Sequence, residues 1–256
     1  MKHLPNLLTL ANLFCGCIAI GFILSAQNFT TSFNVDEYIE VPAVAQPYWG
    51  SVFIFLAAIF DMLDGWVARA LKVFSPIGKD LDSLADVVSF GVAPSMILFK
   101  MLWSAYMLRP EAMDVSMLAM SPAFLVACFA ALRLARFNVT ASEDHTLFKG
   151  LPVPAVGVFV ASFPLILWQN PLGLALSLYN VWVIYLIIGI LCWLMVSEVR
   201  FFKFMPSSFG IGSMWPQLLI VVVTAISFPF LKSAAISLAF ILYLVLSFVY
   251  KPKTLQ

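Results

Sequence analysis

The sequence has little charge and very few cysteines or histidines. Only 11% of its 256 residues are charged, whereas 62% are hydrophobic, and the mean hydropathy is +1.00. A chain this apolar does not have the composition of a soluble domain. Its hydrophobic runs recur at lengths near the roughly 20 residues that cross a bilayer as a helix. We therefore predict an integral membrane protein.

The scarce residue types exclude several kinds of site. All four cysteines fall in apolar runs, which favours buried free thiols over disulfides or a metal site. The two histidines stand alone in polar segments, so we assign them no role. The basic residues are dispersed and mostly lie beside hydrophobic runs, so no nucleic-acid partner is expected.

The hydrophobic pattern predicts an all-α, polytopic transmembrane bundle of about eight spans. The N-terminal run resembles a signal peptide, but polar residues interrupt it and no clean cleavage site follows, so we expect a retained helix. The last two spans are separated only by 229–232, which predicts a tight antiparallel hairpin. The predicted spans are 6–26, 48–72, 83–107, 121–139, 152–170, 177–198, 213–230 and 232–250.

The positive charges are distributed unevenly between the two sets of span ends. Eleven of the 14 Lys and Arg residues lie at one set of ends and three at the other. Cytoplasmic loops carry the excess of basic residues in membrane proteins. We therefore expect both termini to face the cytoplasm, and the location to be a bacterial inner membrane.

Five aspartates occur within residues 61–86 of this otherwise apolar chain. Asp61 and Asp64 are three residues apart, and Asp82 and Asp86 are four apart, so each pair can share one helix face. The sequence 75–78 is expected to interrupt the helix between the two pairs. Two antiparallel helices can then bring four carboxylates together. Oxygen ligands of this kind suit Mg²⁺ or Mn²⁺ bridging to substrate phosphates. Asp80 is expected only to cap a helix or pair with a lysine.

Small and basic residues accompany the aspartates. Gly65 follows Asp64 and leaves a gap in the helix surface, and Gly78 can do the same on the other helix. Ala68 keeps that face shallow. Arg69 adds a cation suited to phosphate.

The spacing of these residues resembles the signature of the CDP-alcohol phosphatidyltransferases. The sequence has Asp64-Gly65-x-x-Ala68-Arg69, eight residues, Gly78, three residues, Asp82, three residues and Asp86, with Asp61 preceding. The resemblance implies an enzyme that uses an alcohol to displace CMP from a CDP-linked lipid such as CDP-diacylglycerol. It also implies that Asp61 and Asp82 bridge two divalent metals, that Asp64 completes the first and Asp86 the second, and that Asp86 is the base. The nucleotide-binding residues it implies are Gly65, Ala68, Arg69, Ser75 and Gly78.

Three further stretches resemble the branch of this family whose acceptor is L-serine. They are LPNLLTLANLFCG (4–16), RLARFNV (133–139) and FKGLPVPA (148–155). Asn6 and Thr9 can face the nucleotide or simply cap the first helix.

The same stretches supply candidate serine-binding residues. Arg133 and Arg136 are three apart and can hold an anionic acceptor or anchor the helix by snorkelling. Asn138 can add a hydrogen bond to the acceptor. Lys149 can cover the site or merely flank the fifth span.

We expect one domain over residues 1–256, with its catalytic motif at 61–86, in contact with membrane lipids. The family resemblance also implies a homodimer. Another acceptor, such as glycerol phosphate, inositol phosphate or choline, is an alternative within the family. A divalent-cation transporter is an alternative of another class, although its ion pathway would place acidic groups near the midplane rather than at one membrane face.

Overall fold

The computed structural model describes residues 3–25, 45–72, 76–109, 115–140, 148–202 and 211–249. Helices dominate this part of the chain, and its only strands are two residues long, so the predicted all-α class is confirmed. The α-helices are α1 Leu4–Ser25, α2 Ala45–Leu71, α3 Pro76–Asp86, α4 Ala93–Met107, α5 Leu125–Thr140, α6 Val153–Gln169, α7 Ala175–Leu178, α8 Val181–Val196, α9 Ile211–Leu231 and α10 Ala234–Val249.

Apolar helices correspond in position to all eight predicted spans. Four are long and apolar enough to cross a membrane, namely Leu4–Ser25, Tyr48–Leu71, Ile77–Met107 and Met117–Val139. Four more are apolar but shorter, namely Val153–Gln169, Val181–Val196, Trp215–Leu231 and Ala234–Val249. Large side chains such as Trp66, Trp182 and Phe230 stay exposed on the outer faces of these helices. Apolar side chains facing outward suit a bilayer rather than water.

Helices α1 and α2 pack closely because small residues line their contact. A Cβ placed on Gly50 would lie 2.6 Å from the Ile23 side chain and 3.2 Å from the Ala19 carbonyl oxygen. Small residues at such positions let transmembrane helices approach each other. This contact lies in the half of α2 away from Asp61 and Asp64, where it holds the end of α1 against α2.

The third span differs from its prediction. It begins at Pro76 rather than near residue 83, so Asp82 and Asp86 lie inside a helix rather than at its start. A π-helix, Val87–Val92, then joins α3 to α4 without a break. A hydropathy pattern cannot distinguish a π-helix from an α-helix. Short π-helical segments often occur beside functional sites.

Other boundaries differ in smaller ways. A 3₁₀-helix, Met117–Phe124, precedes α5, and a short 3₁₀ turn, Pro171–Gly173, precedes α7. The sixth span starts at Val181, where the Asn180 side chain accepts a hydrogen bond from the Trp182 amide. The predicted hairpin is present between α9 and α10, although Pro229 lies inside α9 rather than in the turn.

Two strands form a small antiparallel ribbon that links α6 to the end of α8. Strand β1, Phe148–Lys149, pairs with β2, Arg200–Phe201. Gly150 follows β1 with a φ of 78°, a conformation that favours glycine. A Cβ there would lie 2.3 Å from the Met195 carbonyl oxygen, so the ribbon and the end of α8 are in close contact.

The cysteines only partly follow the prediction. All four are free, but only Cys15 and Cys192 are buried, whereas Cys17 and Cys128 are exposed on their helices. Hydropathy identifies a span but not which of its faces packs against another helix.

Candidate active site

Three aspartates from two helices converge on one small volume. Asp61 and Asp64 come from the second half of α2, and Asp82 comes from α3. One carboxylate oxygen from each lies within 4.8 Å of the other two. The break between α2 and α3 therefore brings the two predicted pairs together, as their spacing indicated.

Asp86 lies against this group but is more deeply buried. Its side chain is 6% exposed, and its carboxyl interacts electrostatically with those of Asp61, Asp64 and Asp82. Four acidic groups this close repel one another unless cations or protons neutralise them. The negative charge of the cluster therefore favours the binding of cations.

Helix α1 supplies neutral hydrogen-bond donors to the cluster. The Thr9 hydroxyl donates to Asp64 Oδ2 at 2.7 Å, and Asn12 Nδ2 donates to Asp86 Oδ1 at 3.2 Å. Both donors are buried, Asn12 completely. The Ser89 hydroxyl of the π-helix donates in turn to the Asn12 carbonyl oxygen at 3.0 Å. These contacts orient the carboxylates while leaving their charge in place.

The donor set fits divalent metal ions. All grouped ligand atoms are carboxylate oxygens, which hard cations such as Mg²⁺ and Mn²⁺ prefer. Within the described residues, the buried Asp82 Oδ1 has no hydrogen-bond partner. A buried carboxylate oxygen without a donor is costly unless a cation contacts it.

The surface beside Asp64 is open. Among the described residues, a Cβ on Gly65 would meet only the Arg69 guanidinium, 3.9 Å away. Arg69 is exposed in the last turn of α2, and Ala68 and Gly78 are partly exposed. Asn6, one turn before Thr9 on α1, is also partly exposed. Ser75, predicted as a nucleotide ligand, lies outside the described residues.

The two candidate arginines have different environments, although their spacing suggested a shared role. Arg133 is buried, and its guanidinium lies 5.3 Å from the centre of the Phe137 ring. It also interacts electrostatically with Asp86. Arg136 is exposed. Side chains three residues apart point in directions about 60° apart around the helix axis. One of the two can therefore face the interior while the other lies outside the packed face.

Asn138 and Lys149 have local partners. Asn138 Nδ2 donates to the Ser83 hydroxyl at 2.8 Å, and the backbone carbonyl oxygen of Asn138 accepts from Lys79 Nζ at 3.0 Å. These bonds connect the end of α5 to α3 beside Asp82. Lys149 is exposed, and its backbone lies opposite that of Arg200 in the antiparallel ribbon.

Sequence reasoning missed Asn12 and Ser83 as contacts of the site. Asn6, Thr9 and Asn12 recur every three residues, a polar stripe along an otherwise apolar helix. That spacing places all three on neighbouring parts of one face and could have identified Asn12. Ser83 gives no comparable signal, because only the packing of α5 against α3 shows its partner.

Comparison with known proteins agrees with this geometry. The family model described as CDP-alcohol phosphatidyltransferase matches residues 2–197. The chain is 30% identical over 203 residues to CDP-diacylglycerol–serine O-phosphatidyltransferase of Bacillus subtilis, an alignment that covers 78% of this chain and 90% of the relative.

Two other relatives with the same name match over shorter lengths. The Helicobacter pylori (strain J99) protein is 35% identical over 61% of this chain and 54% of its own length. The Methanocaldococcus jannaschii protein is 36% identical over 59% of this chain and 62% of its own length. This chain thus spans about half to two thirds of the length of those two relatives. With Asp61, Asp64 and Asp82 gathered at one site and most of its length matched, the chain belongs to the CDP-alcohol phosphatidyltransferase family.

Proposed function

We propose that this protein is a CDP-diacylglycerol–serine O-phosphatidyltransferase. The observation that carries the proposal is the convergence of Asp61, Asp64 and Asp82 from two helices at the spacing of the family signature. The names of relatives at 30–36% identity support serine as the acceptor. The serine hydroxyl oxygen attacks the phosphorus that carries the diacylglycerol, the bond from that phosphorus to CMP breaks, and phosphatidylserine and CMP are released.

Asp61, Asp64, Asp82 and Asp86 would hold two divalent ions, Mg²⁺ or Mn²⁺. When bound, these ions would neutralise the carboxylates and the pyrophosphate and stabilise the charge on the departing CMP. The oxygen-only donor set and the buried Asp82 Oδ1 support this assignment.

Asp86 is the proposed base. A carboxylate within reach of the incoming hydroxyl can take its proton as the new bond to phosphorus forms. The Asn12 amide holds one carboxylate oxygen by its hydrogen bond and leaves the other for the proton. Burial keeps bulk water from competing as the nucleophile.

The open surface around Gly65 is the proposed nucleotide site. A phosphate can approach the backbone there because no Cβ intervenes, and Arg69 supplies a guanidinium nearby. Asn6, Thr9, Ala68, Ser75 and Gly78 complete the proposed CDP-diacylglycerol contacts.

Arg133 is the proposed anchor for the serine carboxylate. It is buried within electrostatic range of the proposed base, so a carboxylate bound to it would bring the serine hydroxyl close to Asp86. The exposed Arg136 and Lys149 would attract the anionic substrates from solvent. Asn138 would act through Ser83, by holding α5 against α3.

The proposal extends to the whole chain and its setting. Residues 1–256 would form one catalytic domain in the bacterial inner membrane, with eight spans, both termini and the active site facing the cytoplasm. The eleven-to-three distribution of basic residues supports this orientation. A homodimer is part of the proposal on family grounds.

The test is CMP release from purified protein with CDP-diacylglycerol, Mn²⁺ or Mg²⁺, and one candidate alcohol at a time. We expect release with serine and none with glycerol phosphate, inositol phosphate or choline. Release with another alcohol instead would exclude serine as the acceptor. Chelation should abolish activity and added Mg²⁺ or Mn²⁺ should restore it, whereas full turnover after chelation would exclude a metal-dependent reaction.

A further inference from the structure

Besides Asp82 Oδ1, a second buried oxygen at the acidic cluster lacks a hydrogen-bond partner among the described residues. It is the side-chain oxygen, Oδ1, of Asn12, a residue of α1 that is 0% exposed. A buried amide oxygen without a donor is costly. A ligand that brings a donor to this oxygen removes that cost, so the atom is a candidate contact for a substrate.

The chemistry of Asp86 determines which way the Asn12 amide points. An ionised carboxylate can only accept hydrogen bonds, so the NH₂ group must face it, and Nδ2 donates to Asp86 Oδ1 at 3.2 Å. Because the nitrogen and oxygen of one amide are about 2.3 Å apart, Asn12 Oδ1 lies within about 5.5 Å of that carboxylate oxygen. The Ser89 hydroxyl donates to the Asn12 backbone carbonyl at 3.0 Å and holds the residue in place.

This distance matches the size of a small amino alcohol. An acceptor whose hydroxyl gives its proton to Asp86 places its oxygen about 2.6–3.2 Å from that carboxyl. In serine the ammonium nitrogen is three bonds from the hydroxyl oxygen, about 3–4 Å away in the staggered rotamers. With the serine hydroxyl at Asp86, the ammonium can therefore reach Asn12 Oδ1 and donate to it.

An amide oxygen at this place discriminates between the candidate alcohols. A primary ammonium carries three N–H donors, whereas the trimethylammonium group of choline carries none. Glycerol phosphate and inositol phosphate have no nitrogen, and their hydroxyls form only neutral hydrogen bonds, which are weaker than charge-assisted ones. Among these four acceptors, serine therefore gives Asn12 Oδ1 its strongest partner.

We propose that Asn12 is a specificity-determining residue whose Oδ1 binds the ammonium group of the acceptor, so that the site takes a primary amino alcohol. Arg133, the proposed anchor of the serine carboxylate, would recognise the other charged group of the same substrate. The inference rests on the proposed function, because it takes Asp86 as the base and serine as the acceptor.

The test compares serine with 3-hydroxypropionate, which keeps the hydroxyl and the carboxylate but lacks the ammonium. CMP release at saturating CDP-diacylglycerol and metal gives kcat/KM for each acceptor. Wild-type protein should prefer serine by at least about tenfold, the effect of losing a hydrogen bond to a charged group. Asn12→Leu has a similar size but no polar atom, and the preference should fall about tenfold in this variant.

Two further variants separate the ammonium contact from the orientation of the carboxylates. Thr9→Val is the matched control, since Thr9 also donates from α1 to an aspartate of the cluster. It should lower kcat/KM alike for both acceptors and leave the preference unchanged. Asn12→Asp keeps an oxygen that can accept from the ammonium, so it should keep the preference for serine even where turnover falls.

A role confined to orienting Asp86 gives a different result. Asn12→Leu would then lower kcat/KM equally for both acceptors, which would overturn the proposal. A raised metal requirement with an unchanged preference would also overturn it, because Oδ1 would then be a metal ligand. Should Asn12→Leu not fold, loss of the preference in Asn12→Asp, or equal use of the two acceptors by wild-type protein, would overturn it.

Failure of the proposed function is recognised separately, on the wild-type protein alone. Wild-type protein that releases CMP with glycerol phosphate, inositol phosphate or choline and not with serine would contradict both proposals. Wild-type protein that uses serine, with the same preference in Asn12→Leu, would contradict only the assignment of Asn12.

Discussion

At the scale of single residues, the site is acidic and its nearest donors are neutral. Asp64 and Asp86 each receive a hydrogen bond from α1, from Thr9 and Asn12 respectively. A neutral donor orients a carboxylate without cancelling its charge, so the cluster keeps its attraction for cations. An arginine or lysine in these positions would compete with a metal ion.

The proposed base gives the first prediction. Asp86→Asn preserves the shape of the side chain and its place beside Asn12 but cannot accept the serine proton. We expect turnover to fall about 10²- to 10⁴-fold, with CDP-diacylglycerol still bound. The control is Asp80→Asn, because Asp80 is exposed and outside the cluster. Steady-state CMP release and nucleotide binding measure the two effects, and an Asp86→Asn enzyme with half the wild-type activity would exclude the base role.

Thr9 gives the second prediction. Thr9→Val removes the hydroxyl that contacts Asp64 and keeps the branched shape. Loss of a hydrogen bond to a charged group costs about 1.5–3 kcal/mol, so the Mg²⁺ or Mn²⁺ concentration that gives half-maximal activity should rise at least about tenfold. Within the part of the chain that the structure describes, the Thr224 hydroxyl donates only to the Ile220 carbonyl of its own helix, so Thr224→Val is the matched control. An unchanged metal requirement in Thr9→Val would exclude a role in orienting the ligand.

The third prediction separates the two arginines. Arg133→Lys should raise the KM for serine about tenfold or more, because lysine keeps the charge but loses the planar two-donor contact to a carboxylate. Arg136→Lys should leave that KM nearly unchanged, since Arg136 is exposed. Neither substitution should alter the KM for CDP-diacylglycerol. Equal effects at the two positions would contradict the assignment of Arg133 alone.

At the scale of elements, the site depends on how closely α1 approaches the π-helix. A Cβ on Gly16 would lie 2.3 Å from the Ser89 hydroxyl oxygen and 2.9 Å from the Ser89 Cα. Because the second atom belongs to the backbone, no rotamer change can relieve the clash. The same approach lets Ser89 bond the Asn12 carbonyl, one turn from Asp86. Helix spacing and carboxylate orientation are therefore linked.

The fourth prediction tests this link. Gly16→Ala should push α1 away from the π-helix, cost about 1–3 kcal/mol of stability and lower activity. Gly21→Ala is the control, because no described atom outside the backbone of its own helix lies within 4 Å of a Cβ at that position and alanine favours a helix. Thermal unfolding in detergent and CMP release measure the two effects. Equal Tm values for the two variants would show that the close approach does not limit packing.

At the scale of the whole molecule, charge distribution and buried polarity act on different features. The basic residues at the span ends determine orientation, since the translocation of short loops depends on their Lys and Arg content. The aspartates contribute little to orientation, and on the proposed function they would hold the cations. A substitution can therefore change one property and leave the other intact.

The fifth prediction concerns orientation. A membrane-impermeant thiol reagent added from outside should label a cysteine placed at Asn34 and not one placed at Ser142. The chain without an added cysteine measures any labelling of its four native thiols. Labelling at 142 and not at 34 would reverse the proposed orientation and place the site away from cytosolic serine.

The sequence by itself determined the class, the approximate spans and the acidic cluster of this protein. Each of these depends on short-range patterns: runs near the length of a bilayer crossing, and aspartates three or four apart on one helix face. The cluster could be predicted because one short connection links α2 to α3. The connected ends of the two helices must therefore lie close together.

Tertiary structure alone decided which side chains complete the site. It buried Arg133 and left Arg136 exposed, and it made Ser83 the hydrogen-bond partner of Asn138. It also brought Asn12 into hydrogen-bond contact with Asp86, 74 positions away in the chain. It also introduced the π-helix after Asp86. These features depend on how helices rotate and pack against one another, and in an almost uniformly apolar chain hydropathy carries little information about that rotation.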